Sequence, residues 1–365
     1  MVAHSDADAR WMDRALDQAR RGLGRTTPNP VVGACIVSAE GVVVGQGAHE
    51  RAGEAHAEIH ALDEAGEAAR GATLYCTLEP CSHTGRTGPC TQRIIDAGIS
   101  RVVAAMGDPF PQVNGRGFAQ LRERGVDVTV GIGEDAAVRL NQPFLTAVRH
   151  GRPFVILKAA TSLDGRISAA SGSRTGITSV PALRRAQYDR AWVDAIGIGS
   201  ETLLVDDPLL TVREVYRERP LTRVIFDRRL RTSPTARVFT TGAQGPIVVL
   251  TTEEAVRADA SRVEALTHAG ATVVAPSLPG IEAALRELPD RAVHSIVIEG
   301  GAALHAAVWD AKVADYVQLY VAPTTLGEQG VPLDGRAFST FALFDQHVEA
   351  LGPDVIIEGY VHRPH

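Results

Sequence analysis

The stretch LEPCSHTGRTGPC, residues Leu78–Cys90, places Cys81 and Cys90 nine positions apart, directly after a Glu-Pro step. Upstream, the tripeptide His-Ala-Glu begins at His56, where a segment with helical periodicity starts. One imidazole nitrogen and two thiolate sulfurs are suitable zinc ligands, and three protein ligands leave a fourth tetrahedral position for water, as in catalytic zinc sites. The stretch therefore predicts a zinc site formed by His56, Cys81 and Cys90.

A carboxylate lies close to the predicted ligands in the sequence. Glu58 follows His56 by two residues, where it could take a proton from the zinc-bound water and pass it to a leaving amine. The pattern H-x-E followed by P-C-x-x-C is the signature of zinc-dependent deaminases. In this chain eight residues, instead of two, separate the cysteines. The pattern predicts a deaminase in which Glu58 transfers protons.

The loop between the two predicted sulfur ligands contains His83 and Arg86, which either contact a substrate or are simply solvated. A disulfide between the cysteines that bound this loop is an alternative interpretation, but a reducing compartment would keep them as thiols. The chain has only two further cysteines, Cys35 and Cys76. Both lie in apolar runs and are interpreted as buried core residues.

The composition is that of an ordinary soluble globular protein, with 365 residues, 45% hydrophobic and 22% charged side chains, and a net charge of −6. No stretch concentrates Lys and Arg, which argues against a nucleic-acid partner and favours a small-molecule substrate. The start of the chain, MVAHSDADAR, lacks an apolar signal region, and no apolar run reaches membrane length. We therefore expect no membrane association and a cytoplasmic location.

Strand and helix patterns alternate along the whole chain, which predicts an α/β protein. The length suggests two domains, and the sequence Arg-His-Gly-Arg-Pro at 149–153 resembles a linker. We therefore predict one domain over residues 1–149 and another over 153–365. In the first, helices are predicted over 11–21, 56–69, 91–97, 118–124 and 135–148, and strands over 31–37, 42–45, 72–78, 101–106 and 126–130. In the second, a helix is predicted over 182–191 and strands over 154–160, 195–199 and 354–361 and near 224, 247, 273 and 296.

The second half contains two segments that suit a dinucleotide. SIVIEGGAALHAAV, Ser295–Val308, is an apolar strand followed by Gly300-Gly301 and a helix, and such a turn lets backbone N–H groups approach a pyrophosphate. This glycine pair is a weak signal, because it does not complete G-x-G-x-x-G. In GSETLLVDDPLLTVR, a helical start would place Thr202 and Asp206 on one face. Alternatively, the Asp-Asp-Pro step simply ends a helix.

Lys158 is one of only two lysines in the chain, and it lies inside an apolar strand segment. A buried ammonium is costly unless it reaches a partner. We therefore predict that Lys158 belongs to a site, the alternative being an edge residue whose charged end reaches solvent.

TTPNPVVGACIV, HERAGEAHAEIHAL and TLEPCSHTGRTGPC together resemble the deaminase half of the bifunctional riboflavin-biosynthesis deaminase–reductases, the RibD or RibG family. The longer cysteine spacing is similar to the form found in that family. The resemblance implies a cytidine-deaminase-like three-layer fold, zinc bound by His56, Cys81 and Cys90, and proton transfer by Glu58. It also implies that Asn29 contacts the substrate, although a turn residue between two prolines would serve a structural purpose equally well.

The segments around Lys158, Thr202 and Gly301 resemble the reductase half of the same family, which has a dihydrofolate-reductase-like fold and uses NADPH. The resemblance implies cofactor contacts from Ala160, Thr202, Asp206 and the glycine turn at Gly301, and we predict Gly176 and Arg228 as further cofactor contacts. It implies substrate contacts from Arg190, Leu210, Arg213 and Glu299, and we predict that Lys158 and Arg174 belong to the same substrate-binding set. Arginines suit a substrate phosphate because their planar fork can bind it through two hydrogen bonds.

The chain departs from the family pattern at two places. Arg174-Thr175-Gly176 stands where many relatives carry Ser-Gln-Trp, and Arg228 stands where a Ser is common. The added arginine pair, Arg174 and Arg228, could help to bind the 2′-phosphate of NADPH.

The predicted function is zinc-dependent deamination of 2,5-diamino-6-ribosylamino-4(3H)-pyrimidinone 5′-phosphate, followed by NADPH-dependent reduction of its ribosyl group to ribityl. A homo-oligomer, a dimer or tetramer formed through the reductase domain, is expected. Three alternatives stay open at this point: a deaminase whose second half only binds substrate or oligomerises, a deaminase of nucleic-acid bases, and a zinc-stabilised scaffold without enzymatic activity.

Overall fold

The computed structural model describes residues 6–82, 88–110, 114–173, 175–333 and 342–364. The chain divides into two compact units, one ending at His150 and one spanning Gly151–Arg363. No helix in the described ranges combines the length and the apolar character needed to cross a bilayer.

The first unit is a five-stranded sheet with helices packed against it. Its helices are α1 (Asp6–Arg20), α2 (Ala57–Ala65), α3 (Cys90–Asp96), α4 (Arg116–Glu123), α5 (Glu134–Leu140) and α6 (Gln142–His150), with a short 3₁₀ helix at Gly66–Ala69. Its strands are β1 (Gly33–Val37), β2 (Val43–Ala48), β3 (Thr73–Cys76), β4 (Arg101–Ala104) and β5 (Asp127–Val130). The strand order is β2-β1-β3-β4-β5, with β1 antiparallel to both neighbours and β3, β4 and β5 parallel.

Helix α2 lies unusually close to strand β2 because the strand presents glycines to it. A Cβ at Gly45 would lie 2.1 Å from the Ala61 carbonyl oxygen, and one at Gly47 would lie 2.2 Å from that of Ala57. Only glycine permits this approach. The close packing holds the first turn of α2, which begins immediately after His56, against the sheet.

The helix predicted over 135–148 is two helices in the structure. Asn141 leaves the helical conformation at φ −102° and ψ 13°. Its buried amide donates to the Val31 carbonyl and accepts from the Val31 N–H. Periodicity alone could not reveal this break, because it depends on hydrogen bonds to a residue 110 positions away.

The second unit contains a nine-stranded sheet, a small two-stranded sheet and surrounding helices. Its strands are β6 (Phe154–Ser162), β7 (Arg166–Ser168), β8 (Ala195–Gly199), β9 (Thr222–Phe226), β10 (Ile247–Leu250), β11 (Ala271–Val274), β12 (Ser295–Ile298), β13 (Tyr316–Ala322), β14 (Val331–Pro332), β15 (Phe344–Leu351) and β16 (Asp354–Tyr360). Its helices are α7 (Val180–Trp192), α8 (Ser200–Asp206), α9 (Glu253–Ala258), α10 (Ala260–His268), α11 (Ile281–Arg286) and α12 (Ala302–Asp310), with 3₁₀ helices at Arg237–Gln244 and Pro289–Arg291.

The order of the large sheet is β11-β10-β9-β8-β12-β6-β13-β16-β15. The strands from β11 to β13 are parallel, and β16 and β15 extend the sheet antiparallel. No strand is predicted at the positions of β13 and β15. Strand β15 is exposed over most of its length, and its sequence FDQHVEAL has no regular apolar alternation that would predict a strand. Its pairing with β16 defines it.

Candidate zinc and cofactor sites

The three predicted zinc ligands come together in the first unit. His56 is the residue immediately before α2, Cys81 follows β3, and Cys90 is the first residue of α3. His56 Nδ1 lies 3.2 Å from Cys90 Sγ and 3.6 Å from Cys81 Sγ. All three donor atoms lie within 4.8 Å of one another.

These distances fit a shared zinc ion. With ordinary Zn–S and Zn–N bond lengths, a tetrahedral centre separates a nitrogen from a sulfur ligand by about 3.6 Å. One imidazole and two thiols also form a donor set that zinc accepts readily. Cys81 and Cys90 are free thiols in the structure and form no disulfide with each other, unlike in the alternative interpretation.

The environment favours a thiolate at this site. Hydrogen bonds from the Cys90 thiol, from His56 and from the Cys90 N–H lower the pKa of the Cys81 thiol to about 4. The same pairing, together with burial, raises the pKa of the Cys90 thiol. The hydrogen bond with Cys81 raises the pKa of His56 to about 9. A bound cation would remove the remaining protons, because metal binding and deprotonation of ligands are coupled.

Glu58 lies in the first turn of α2 and is only 3% exposed. Its Oε2 atom is buried and has no hydrogen-bond partner among the described residues. Burial raises the pKa of this carboxyl group to about 7. A buried carboxylate oxygen without a partner is unusual in a folded protein.

Asn29 is held by a histidine, His49, that has no distinctive sequence signal. The buried His49 accepts from Asn29 Nδ2 at Nε2, over 3.0 Å. Its Nδ1 lies 3.1 Å from the carbonyl oxygen of Ala55, which can only accept, so Nδ1 carries the proton and Nε2 is the acceptor. This arrangement sets the direction of the Asn29 amide. The His49 ring also packs edge-on against His56, with 5.3 Å between the ring centroids.

Three of the predicted substrate contacts, His83, Arg86 and Arg174, lie outside the described residues.

The second unit contains a cleft of about 1200 Å³ at the carboxyl ends of its parallel strands. Three of the predicted cofactor residues, Thr202, Arg228 and Gly301, line it. The other three lie elsewhere: Ala160 is in β6, Asp206 ends α8, and Gly176 is exposed in the segment before α7. A Cβ at Gly300 would lie 2.8 Å from the Gly199 nitrogen, so this glycine lets the turn after β12 lie against the turn after β8.

Lys158, Arg190 and Glu299 form a charged cluster in the second unit, although they come from β6, from α7 and from the position that follows β12. The Arg190 guanidinium binds Glu299 through two hydrogen bonds, of 2.5 and 2.8 Å, and the Lys158 ammonium lies 3.7 Å from the same carboxylate. Burial alone would raise the pKa of Glu299, but the two cations lower it to about 2. The cluster therefore holds Glu299 as an anion.

The segment 210–213, which contains the predicted residues Leu210 and Arg213, contacts this cluster through its backbone. Arg190 Nη1 donates to the Thr211 carbonyl oxygen. Leu210 is buried and has a φ of 52°, whereas the Arg213 side chain is exposed. Tyr320 was not predicted, and the Lys158 ammonium lies 5.2 Å from the centre of its ring.

Comparison with known families gives two matches. Residues 153–357 match the RibD C-terminal domain, and residues 5–106 match the cytidine and deoxycytidylate deaminase zinc-binding region. The chain is 38% identical to the riboflavin biosynthesis protein RibD of Aquifex aeolicus over 96% of its own length and 98% of the relative's. It is 39% identical to the RibD of Escherichia coli K12, with the same coverage of 96% and 98%.

Solved structures agree with these matches. The first form of Acinetobacter baumannii RibD has a TM-score of 0.85 and 36% identity, covering 96% of this chain and 98% of its own. A Thermotoga maritima protein, described as a diaminohydroxyphosphoribosylaminopyrimidine deaminase/5-amino-6-(5-phosphoribosylamino)uracil reductase, has a TM-score of 0.83 and 33% identity, with 98% and 99% coverage. The predicted α/β fold class, a cytidine-deaminase-like domain followed by a reductase domain, is confirmed. The chain belongs to the RibD family of riboflavin biosynthesis proteins.

Proposed function

We propose that residues 1–149 deaminate 2,5-diamino-6-ribosylamino-4(3H)-pyrimidinone 5′-phosphate and that residues 153–365 then reduce its ribosyl group to ribityl. The chain is a bifunctional enzyme of riboflavin biosynthesis, with zinc and NADPH as cofactors and small molecules as substrates. The observation that carries the assignment of the first site is the convergence of His56, Cys81 and Cys90 beside the unpartnered Glu58 oxygen.

In the deaminase site, His56, Cys81 and Cys90 would hold the zinc ion. When bound, zinc acts as a Lewis acid that lowers the pKa of water, so that the water can lose a proton and attack at neutral pH. Glu58 would accept a proton at Oε2 from the attacking water and return it to the departing amine, which leaves as ammonia. Burial helps this exchange, because it brings the pKa of Glu58 close to neutrality.

Asn29, His83 and Arg86 are proposed as substrate contacts of the deaminase. The support for Asn29 is its fixed orientation: Nδ2 points to His49, so Oδ1 is left to accept from an N–H or O–H group of the substrate. For His83 and Arg86 the support is their position in the loop between two ligands.

In the reductase site, the cleft lined by Thr202, Arg228 and Gly301 would bind NADPH, which supplies the hydride when bound. Its position outside the carboxyl ends of parallel strands is where open α/β sheets bind nucleotides. Ala160, Gly176 and Asp206 are proposed as further cofactor contacts, on the resemblance of their segments to the family.

Lys158, Arg174, Arg190, Leu210, Arg213 and Glu299 are proposed to bind the substrate of the reductase. The charged cluster would orient the ribosyl group, since its Lys158 ammonium and Glu299 carboxylate offer a donor and an acceptor side by side. The exposed Arg213 is the member of this set best placed to bind a phosphate through both arms of its guanidinium, because Arg190 already uses two of its N–H groups on Glu299.

A coupled measurement tests the proposed function. We expect protein purified without chelators to contain one zinc ion per chain, to release ammonia from the diaminopyrimidine substrate, and to consume NADPH only after that release. Full ammonia release by metal-free protein would contradict the zinc site. Ammonia release with no NADPH consumption on the deaminated intermediate would instead indicate a deaminase whose second half is not catalytic.

Arg228 should contribute to the preference for NADPH over NADH. Its guanidinium lines the cleft, and a charge-assisted hydrogen bond to the 2′-phosphate contributes roughly 1.5–3 kcal/mol. Arg228→Ser is therefore expected to lower kcat/KM for NADPH by about 10-fold or more and to leave kcat/KM for NADH unchanged. Arg257→Ser, an exposed change on α9, is the matched control. An equal loss with both cofactors would contradict this role.

We also propose that the enzyme is a cytoplasmic homo-oligomer associating through its reductase unit. The support for the oligomer is the apolar surface that α7 exposes at Leu183, Tyr188 and Trp192. The support for the location is that thiol ligands persist in a reducing compartment. A single-chain mass in sedimentation equilibrium would contradict the oligomer.

A further inference from the structure

Glu79 is neither a proposed zinc ligand nor the proposed proton-transfer group, yet it lies two residues before Cys81 and is only 3% exposed. Its carboxylate accepts four backbone hydrogen bonds from the segment that follows β4. Oε2 accepts from Gly115 over 2.9 Å and from Asp108 over 3.3 Å. Oε1 accepts from Gly117 over 2.9 Å and from Phe118 over 3.4 Å.

Three of these four donors belong to the start of α4. Gly115 precedes the helix, and Gly117 and Phe118 lie in its first turn. The first N–H groups of a helix have no partner within it, and the helix dipole favours a negative charge at this end. Glu79 therefore supplies, from the segment that follows β3, the acceptor that a capping side chain would supply locally.

The first turn of α4 also lies directly on the peptide that joins Glu79 to Cys81. A Cβ at Gly117 would lie 2.1 Å from the Pro80 carbonyl oxygen. Only a glycine at this position allows the contact. The helix is thus docked onto the Glu-Pro-Cys segment itself.

A second contact joins α4 to the other sulfur ligand. Gln120, one turn further along α4, accepts from the Thr91 hydroxyl over 2.7 Å. Thr91 follows Cys90 directly, and its N–H donates to the Cys81 carbonyl oxygen over 3.2 Å. Hydrogen bonds thus connect Glu79 to α4, α4 to Thr91, and Thr91 to Cys81.

We propose that Glu79 is a positioning residue of the metal site, which docks the first turn of α4 so that this helix holds Cys81 and Cys90 at the separation a shared zinc ion requires. The inference rests on the proposed function of the first unit and extends it to a residue outside the ligand set. Groups that orient metal ligands commonly change metal affinity 10-fold to 100-fold when they are altered.

The chemistry of the contact requires a carboxylate. Both oxygens face backbone N–H groups, and a carboxylate has only acceptors to offer. In Glu79→Gln one oxygen becomes an NH₂ group that faces two N–H donors, whichever way the amide is turned. Two hydrogen bonds are therefore lost, and the NH₂ group of the glutamine lies against two backbone N–H groups that also donate.

The test measures the rate at which the zinc-loaded enzyme transfers its metal to an excess of a chromogenic chelator. We expect Glu79→Gln to release zinc about 10–100-fold faster than the unaltered protein. Gln120→Ala, which breaks the second contact, should act in the same direction with a smaller effect. Glu123→Gln, an exposed change at the end of α4, is the matched control and should release zinc at the original rate.

NADPH-dependent reduction of the deaminated intermediate by the same preparations reports whether the rest of the chain is folded. Zinc release at the original rate from a Glu79→Gln protein with normal reduction would overturn the proposal. If Glu79→Gln does not fold, Gln120→Ala decides, and an unchanged release rate in it would also overturn the proposal. Absence of zinc from the unaltered protein would refute the proposed function instead.

Discussion

Replacing Glu58 by glutamine is expected to slow ammonia release by about 10²–10⁴-fold, the range typical of a lost general acid–base group. The amide fills nearly the same volume in the buried position but cannot accept a proton at Oε2 and return it. NADPH-dependent reduction of the deaminated intermediate should be unchanged, because the residues proposed for that step lie in the other unit.

Zinc content separates the loss of proton transfer from the loss of the metal. Glu58→Gln should retain its zinc, since the ligand set of His56, Cys81 and Cys90 is intact. Glu64→Gln, on the exposed side of the same helix, is the matched control and should deaminate normally. A folded, zinc-loaded Glu58→Gln protein that still releases ammonia at the original rate would remove Glu58 from the reaction. Loss of both activities would contradict the separation of the two sites.

Replacing Arg190 by methionine is expected to abolish most of the reduction and to lower the free energy of unfolding of the second unit by about 3–5 kcal/mol, the usual cost of removing one partner of a buried ion pair. The pair is well enclosed, with side-chain exposures of 17% for Arg190 and 10% for Glu299. Without Arg190, the Glu299 carboxylate keeps only the Lys158 ammonium at 3.7 Å. Thermal unfolding followed by calorimetry would measure the loss, and ammonia release should persist.

The pH dependence of this loss has a definite sign. Glu299 has a folded-state pKa of about 2, below its ordinary value of 4.5, so its ionic contribution is fully present above 4.5 and is lost as pH falls toward 2. The stability difference between Arg190→Met and the unaltered protein should therefore shrink over that interval. The double variant with Glu299→Gln should recover part of the stability, because no buried carboxylate is left unpaired. Arg184→Met, on the same helix but 72% exposed, should have little effect.

The convergence of the three proposed ligands could be predicted from the sequence because their chemistry is carried by residue types that have few alternative uses. Cys81, Cys90 and His56 are separated by short stretches, and the Glu-Pro-Cys step and the His-Ala-Glu tripeptide mark where each element ends or begins. The resemblance to a known family extended this prediction to the reductase half. The comparisons confirm the fold class, the bifunctional activity and both cofactors.

The supporting residues could not be predicted in the same way. Glu79 and His49 have no distinctive spacing, and what they do depends on backbone groups brought to them by other elements. A signal for Glu79 was available in retrospect, since a charged residue between an apolar strand and a proline must find partners if it is buried. The sequence did not indicate that those partners would be the first N–H groups of α4.

The sequence by itself determined which chemistry this protein can perform, because ligand atoms and proton-transfer groups are properties of side chains and their local order. Tertiary structure alone decided how those groups are held. Arg190 binds Glu299 across 109 positions of chain, and the Asn29 amide is oriented by His49. Such pairings arise where strands and helices meet in space, and the free energy of a buried charge or amide depends on its neighbours there rather than on its neighbours in the chain.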